Sequence, residues 1–91
     1  MAAKFRITVE RIDGESSAES GQLQFEATNH DDILQIAERV RSKNWLEEAD
    51  ANALAIGLKL FSEVMLKNRS DPLFKELQPS MTKFIAGLKN R

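Results

Sequence analysis

The chain contains no cysteine and no tyrosine, and only one histidine and one tryptophan. Without cysteine there are no disulfides, no thiolate nucleophile and no Cys-based zinc site. Small secreted proteins often rely on disulfide staples, so the composition points to a cytoplasmic protein. Without tyrosine there is no phenolic acid. The four glycines, Gly14, Gly21, Gly57 and Gly87, stand far apart, so no glycine-rich phosphate loop is present. No apolar run approaches the roughly 18 residues of a membrane span. The longest apolar-rich stretch is broken by Lys59, Glu63 and Lys67. The N-terminal MAAKFRITVER carries Lys4, Arg6 and Arg11 and lacks the apolar centre of a signal peptide.

What is present is the mixture of an ordinary soluble domain: 91 residues, 42% hydrophobic and 30% charged. The length fits a single domain over 1–91 with a thin stability margin. Net charge is −1, so no global field favours nucleic acid or acidic membranes. The charge is uneven, however. Residues 1–58 hold six basic and eleven acidic residues, a net −5, and residues 59–91 hold seven basic and three acidic, a net +4. Solvated helix faces account for most such asymmetry. It also suits a head-to-tail meeting of two copies.

Two segments alternate with period two. In 4–12, Phe5, Ile7 and Val9 fall on one side, and Arg6, Thr8 and Glu10 on the other. In 22–28, Leu23, Phe25 and Ala27 share a side. This pattern predicts an antiparallel strand pair. The connection, 13–21, is polar and too long for a tight turn. An isolated pair of strands is marginal in water and must lie on helices or extend its sheet through another copy.

Helical spacing follows. Ile33, Ile36, Ala37 and Val40 form one apolar stripe, predicting a helix over about 30–43 with Asn29 as N-cap and Asn44 as its stop. A long central helix is expected over about 47–68. It carries two apolar stripes, Leu54, Leu58, Phe61 and Met65 on one side, and Ile56, Leu60 and Val64 on another. A helix apolar on two sides is central to the core or shared with a partner. Gly57 lies mid-helix, where it costs about 1 kcal/mol relative to alanine. A backbone contact from another element would explain it. After Asp71 and Pro72, Leu73, Phe74 and Leu77 predict a helix over 71–78. Pro79 interrupts it, and Met81, Phe84, Ile85 and Leu88 predict a last helix over 79–89. The expected fold is therefore α+β, a two-stranded antiparallel pair followed by about four helices.

KFRITVE, NHDDILQIAERVRSK and LAIGLKLFSEVMLKNRSDPLF, in this order, resemble a family of small bacterial proteins known as a domain of unknown function. The resemblance spans nearly the whole chain. Its distinctive parts are the Asn-His-Asp-Asp stretch and the Gly-Leu-Lys-Leu-Phe segment. It implies a bacterial source and strands leading into helices. It supplies no catalytic residue, cofactor or partner.

His30, Asp31 and Asp32 are the candidate metal ligands by residue type. Consecutive helical residues diverge by about 100° each, so three in a row rarely converge on one ion. Metal-binding helices use i, i+3 or i, i+4 spacing instead. Capping is the stronger reading. Asn29 can accept from the backbone N–H of residue 31 or 32, and Asp32 can reach back as in a capping box. No serine lies in a nucleophile-elbow context, and the carboxylates form no distinctive pair. The sequence therefore predicts no catalytic residue and no cofactor.

The outline of helices 30–43 and 47–68 resembles a helix-turn-helix. The would-be recognition helix opens with Glu47, Glu48 and Asp50, which repel phosphate. The basic set Lys67, Arg69, Lys75, Lys83, Lys89 and Arg91 lacks interleaved aromatics for base stacking. These features argue against nucleic acid. Trp45 reads first as a hydrophobic plug between helices and second as an interface anchor. Met65 and Met81 read as core fillers. The residues favour a non-enzymatic interaction or regulatory module, self-associating or bound to another protein, with Trp45, Ile56, Leu60 and Val64 as candidate interface residues. The alternative is a ligand- or metal-binding domain with its site near residues 29–32 or between helices.

Overall fold

The computed structural model describes residues 2–14 and 21–91. Most of the expected polar connection, residues 15–20, lies outside them. The chain divides into two compact units, Met1–Asp32 and Ile33–Arg91.

The first unit is an antiparallel ribbon of β1 (Ala3–Glu10) and β2 (Gln22–Asn29). Register follows the sequence alternation. Phe5 opposes Ala27, Ile7 opposes Phe25 and Val9 opposes Leu23, giving one apolar face. The other face is polar. Lys4 and Arg6 both reach Glu26, at 3.2 and 3.7 Å, and Gln24 Nε2 donates to Thr8 Oγ1 at 3.0 Å. Slipping the pairing by one residue would exchange the two faces. β1 ends two residues earlier than the expected 12. Arg11 N–H still donates to Gly21 C=O at 3.2 Å, while the Arg11 side chain turns to Asp13 at 3.0 Å.

The second unit holds three helices: α1 (Ile33–Ser42), α2 (Glu48–Lys67) and α3 (Pro72–Lys89). The first stripe falls where expected, with Ile33, Ala37 and Val40 buried and Ile36 half-buried. Asn44 stops α1 in the left-handed region, at φ 59°, a conformation asparagine adopts more readily than most residues. The helix begins later than the expected residue 30, because Asn29 still belongs to β2 and residues 30–32 form a bend before Ile33.

The core between α1 and α2 is built from small residues. Ala37, Val40, Ala51 and Ala55 are buried, with Ile36, Leu46 and Leu54 packed against them. Alanine on both helices allows their backbones to approach closely. Arg41 Nη1 then donates to Asn52 Oδ1 at 2.6 Å across the same junction.

Among the described residues the helices number three and not about four. Pro79 lies inside α3 without ending it. The apolar positions Phe74, Leu77, Met81, Phe84, Ile85 and Leu88 keep helical spacing straight through the proline, so one continuous helix serves one stripe. Pro79 is exposed and costs the helix one backbone hydrogen bond. The start of α3 is conventional: Asp71 accepts from Leu73 N–H at 2.9 Å, and Pro72 occupies the tolerated first turn. None of α3's residues is fully buried.

Candidate functional site

Residues 29–32 come from the end of β2 and the bend after it. Asn29 is buried at 2% exposure, and its Oδ1 accepts from Asp31 N–H at 3.0 Å. This is the expected bond, made by a strand-terminal residue and not by a helix cap. His30, Asp31 and Asp32 are exposed, and each has an interaction partner. Among the described residues, no three His, Cys, Asp or Glu side chains gather in a group able to hold a metal ion.

Trp45 sits in the connection between α1 and α2 and is 38% exposed. Its ring is covered on one side by the Arg91 guanidinium, 4.6 Å from the ring centroid. Lys43 Nζ donates to the carbonyls of Lys89 and Arg91 at 3.4 and 3.5 Å. A cation there suits the negative end of α3. Two basic residues and one indole therefore tie the end of α3 to the α1–α2 corner.

Apolar residues are left uncovered on the ribbon, at Val9, Leu23 and Phe25, and again on α2 and α3. Phe61 and Val64 on α2 are 40% and 47% exposed, and Leu73 and Phe84 on α3 are 72% and 48% exposed. Phe61 meets Phe74 with ring centroids 6.3 Å apart and planes tilted by 52°. With Leu73 and Leu77, these rings line an open groove of about 470 Å³. Of the other candidate interface residues, Ile56 and Leu60 are half-buried. The expected Leu54–Leu58–Phe61–Met65 stripe is buried fully only at Met65. α2 turns its Ala51–Ala55 side inward, so Phe61 is displaced toward solvent.

A second cleft, of about 190 Å³, lies between α2 and α3. Ser62, Arg69, Gln78 and Thr82 supply its polar groups, and Met65 and Met81 part of its apolar wall. Thr82 Oγ1 donates to Gln78 C=O at 3.0 Å, whereas the buried Ser62 Oγ makes no hydrogen bond among the described residues. The two methionines thus border a cleft, although Met65 also fills core space as expected.

No part of the sequence pattern announced Ala51 and Ala55 as the inward face. Their i, i+4 spacing was the available signal, overshadowed by larger side chains on either side.

A two-stranded antiparallel ribbon followed by three helices, with apolar helix faces open to solvent, defines a small α+β domain. The chain belongs to DUF3861, a domain-of-unknown-function family with a solved structure, whose sequence model matches residues 3–90. The family is of bacterial type. A crystal structure of a protein of unknown function from Pectobacterium atrosepticum is similar over 100% of both chains, at 36% identity and a TM-score of 0.85. No curated protein matches the sequence. Among the described residues, no helix is long and apolar enough to cross a membrane.

Proposed function

We propose that this chain is a non-enzymatic protein-interaction module. The observation that carries the reading is the exposed apolar surface shared by α2 and α3, centred on Phe61 with Val64, Leu73 and Leu77. Contiguous exposed apolar surface on a small domain marks interaction sites. The Phe61–Phe74 pair at its centre fits the enrichment of aromatic residues in interface cores. The cysteine-free sequence supports a reducing, cytoplasmic setting.

The reading predicts that the chain migrates in a native extract well above its own 10.3 kDa. Gentle purification followed by native mass measurement tests it. Migration at the mass of the free chain, with no stoichiometric companion, overturns it. Replacing Phe61 by Glu should return an assembled chain to its own mass.

A second reading, a small-ligand site, draws on the α2–α3 cleft, where the Ser62 hydroxyl has no hydrogen-bond partner among the described residues. It predicts a rise in melting temperature with a polar metabolite, lost in Ser62→Val. A metabolite panel without a shift removes it.

A further inference from the structure

We infer that the outward face of α2 is a self-complementary docking surface on which a second copy of the chain lies antiparallel, with the two helices crossing at Gly57. This rests on the interaction-module reading and specifies its partner.

The argument starts from Gly57. Glycine inside a helix is unfavourable, and what it offers in return is room, without a Cβ, for a close approach to the backbone. Among the described residues the expected contact is absent: a Cβ built on Gly57 meets nothing within 4 Å. Gly57 is also exposed. The helix therefore carries a destabilising residue that its own described fold does not use.

Gly57 is not isolated. At roughly 100° per residue, Ala49, Ala53, Gly57, Phe61 and Val64 lie on one side of α2, and all five are exposed. The half-buried Leu60 lies among them and the half-buried Ile56 borders this side. It faces away from the Ala51–Ala55 side that packs on α1. A largely apolar face of about 22 Å, with Asp50 near its start, thus runs from Ala49 to Val64.

The order of residues along this face selects the occupant. Gly57 lies at the middle of Glu48–Lys67. A two-fold axis there sets each residue opposite the one equally distant on the other side. Ala53 of one copy then meets Phe61 of the other, small against large, twice over. The ends match in charge as well. Glu47, Glu48 and Asp50 stand at the start of α2, and Lys67 and Arg69 at or just beyond its end. Antiparallel packing places each acidic end against the other copy's basic end, while parallel packing places like charges together. An isologous contact requires this self-complementarity, and an unrelated partner does not. Phe61 also lines the groove with Leu73 and Leu77, so the contact continues onto α3.

The test uses the full chain and exploits its lack of cysteine. Sedimentation of the purified protein should show reversible dimers at micromolar concentration. Gly57→Leu, whose side chain has open space in the single chain, should keep the helical circular dichroism signal and weaken dimerisation at least tenfold. Glu47→Lys should also weaken it, because Glu47 and Lys67 are equally distant from Gly57, and adding Lys67→Glu should restore it. Under mild oxidation Gly57→Cys should form a disulfide dimer, because only facing Cα atoms come within about 7 Å. Ala53→Cys should not, because its counterpart is displaced by about 12 Å along the axis.

A protein that sediments as monomer at high micromolar concentration overturns the proposal. So does a dimer in which Gly57→Cys fails to cross-link or cross-links no better than Ala53→Cys. Protection of the Gly57→Cys thiol from a maleimide in dilute monomer also overturns it, since the chain itself would then cover the face. A purified monomer that is part of a larger complex in native extract removes the second copy but leaves the interaction-module reading standing. A chain that is monomeric in both removes both.

Discussion

The guanidinium of Arg91 lies over the indole of Trp45, 4.6 Å from the ring centroid. Arg91 follows α3 and Trp45 precedes α2, so this contact joins the last helix to the α1–α2 corner. Lys43 reinforces it by donating to the Lys89 and Arg91 carbonyls. An exposed cation–π contact is worth about 0.5–1 kcal/mol. Arg91→Ala should lower stability by that amount and shift the emission of Trp45, the only tryptophan, to longer wavelength. Arg91→Lys should retain part of both effects. Equilibrium urea unfolding followed by tryptophan fluorescence measures the pair together. An unchanged emission maximum in Arg91→Ala would mean that the ring is not covered in solution.

The Arg41–Asn52 bond makes a different demand. At 2.6 Å and partly buried, it links α1 to α2 beside their alanine core. Hydrogen bonds to charged groups contribute roughly 1.5–3 kcal/mol, and partial exposure places this one near the lower end. Asn52→Ala should therefore destabilise by about 1–2 kcal/mol, and Asn52→Asp should recover most of the loss by accepting from the same guanidinium. The urea midpoint should move with little change in slope, as expected when the surface exposed on unfolding is unaltered.

These two contacts also mark where reading the sequence stops. The ribbon was legible because alternation of Phe5, Ile7 and Val9 with Arg6 and Thr8 admits one pairing that keeps apolar residues together. α1 was legible because Ile33, Ile36, Ala37 and Val40 form one stripe with no competitor. α2 offers several apolar stripes, and hydrophobicity alone cannot choose among them. The choice is made by size: Ala51 and Ala55 let α1 approach closely, a property of the pair of helices. The Asn29 bond to Asp31 was legible, but its setting was not, since an asparagine can end a strand or start a helix with the same local bond. Nor does a single sequence reveal which face of α2 another molecule covers. Gly57 was visible as an anomaly, and only the open space around it turned the anomaly outward.

Pro79 supplies a further test. The expected helix break at this residue does not occur, and α3 runs through it. An interior proline costs a helix about 3 kcal/mol through the missing N–H and the clash with the preceding turn. Its position is exposed, so no packing is lost on replacement. Pro79→Ala should raise stability by about 1–3 kcal/mol, seen as a higher melting temperature with unchanged helix content. A fall in stability would show that the proline has a role in shaping α3 beyond the contacts described.

Ala55 and Gly57 are two residues apart on α2 and should respond oppositely to added atoms. Ala55 is fully buried against α1, and enlarging it to Leu forces the helices apart at a cost of about 1–3 kcal/mol. Gly57 faces open space, and Gly57→Ala restores helix propensity worth about 1 kcal/mol. Dilution matters to the measurement, because stability that includes association depends on protomer concentration. At the lowest workable concentration, where free chains dominate, Gly57→Ala should unfold at higher denaturant than the parent and Ala55→Leu at lower. As concentration rises the parent should gain stability faster than Gly57→Ala, because the added methyl groups meet where the two helices cross. Parallel concentration dependence in the two proteins would place the crossing elsewhere on the chain.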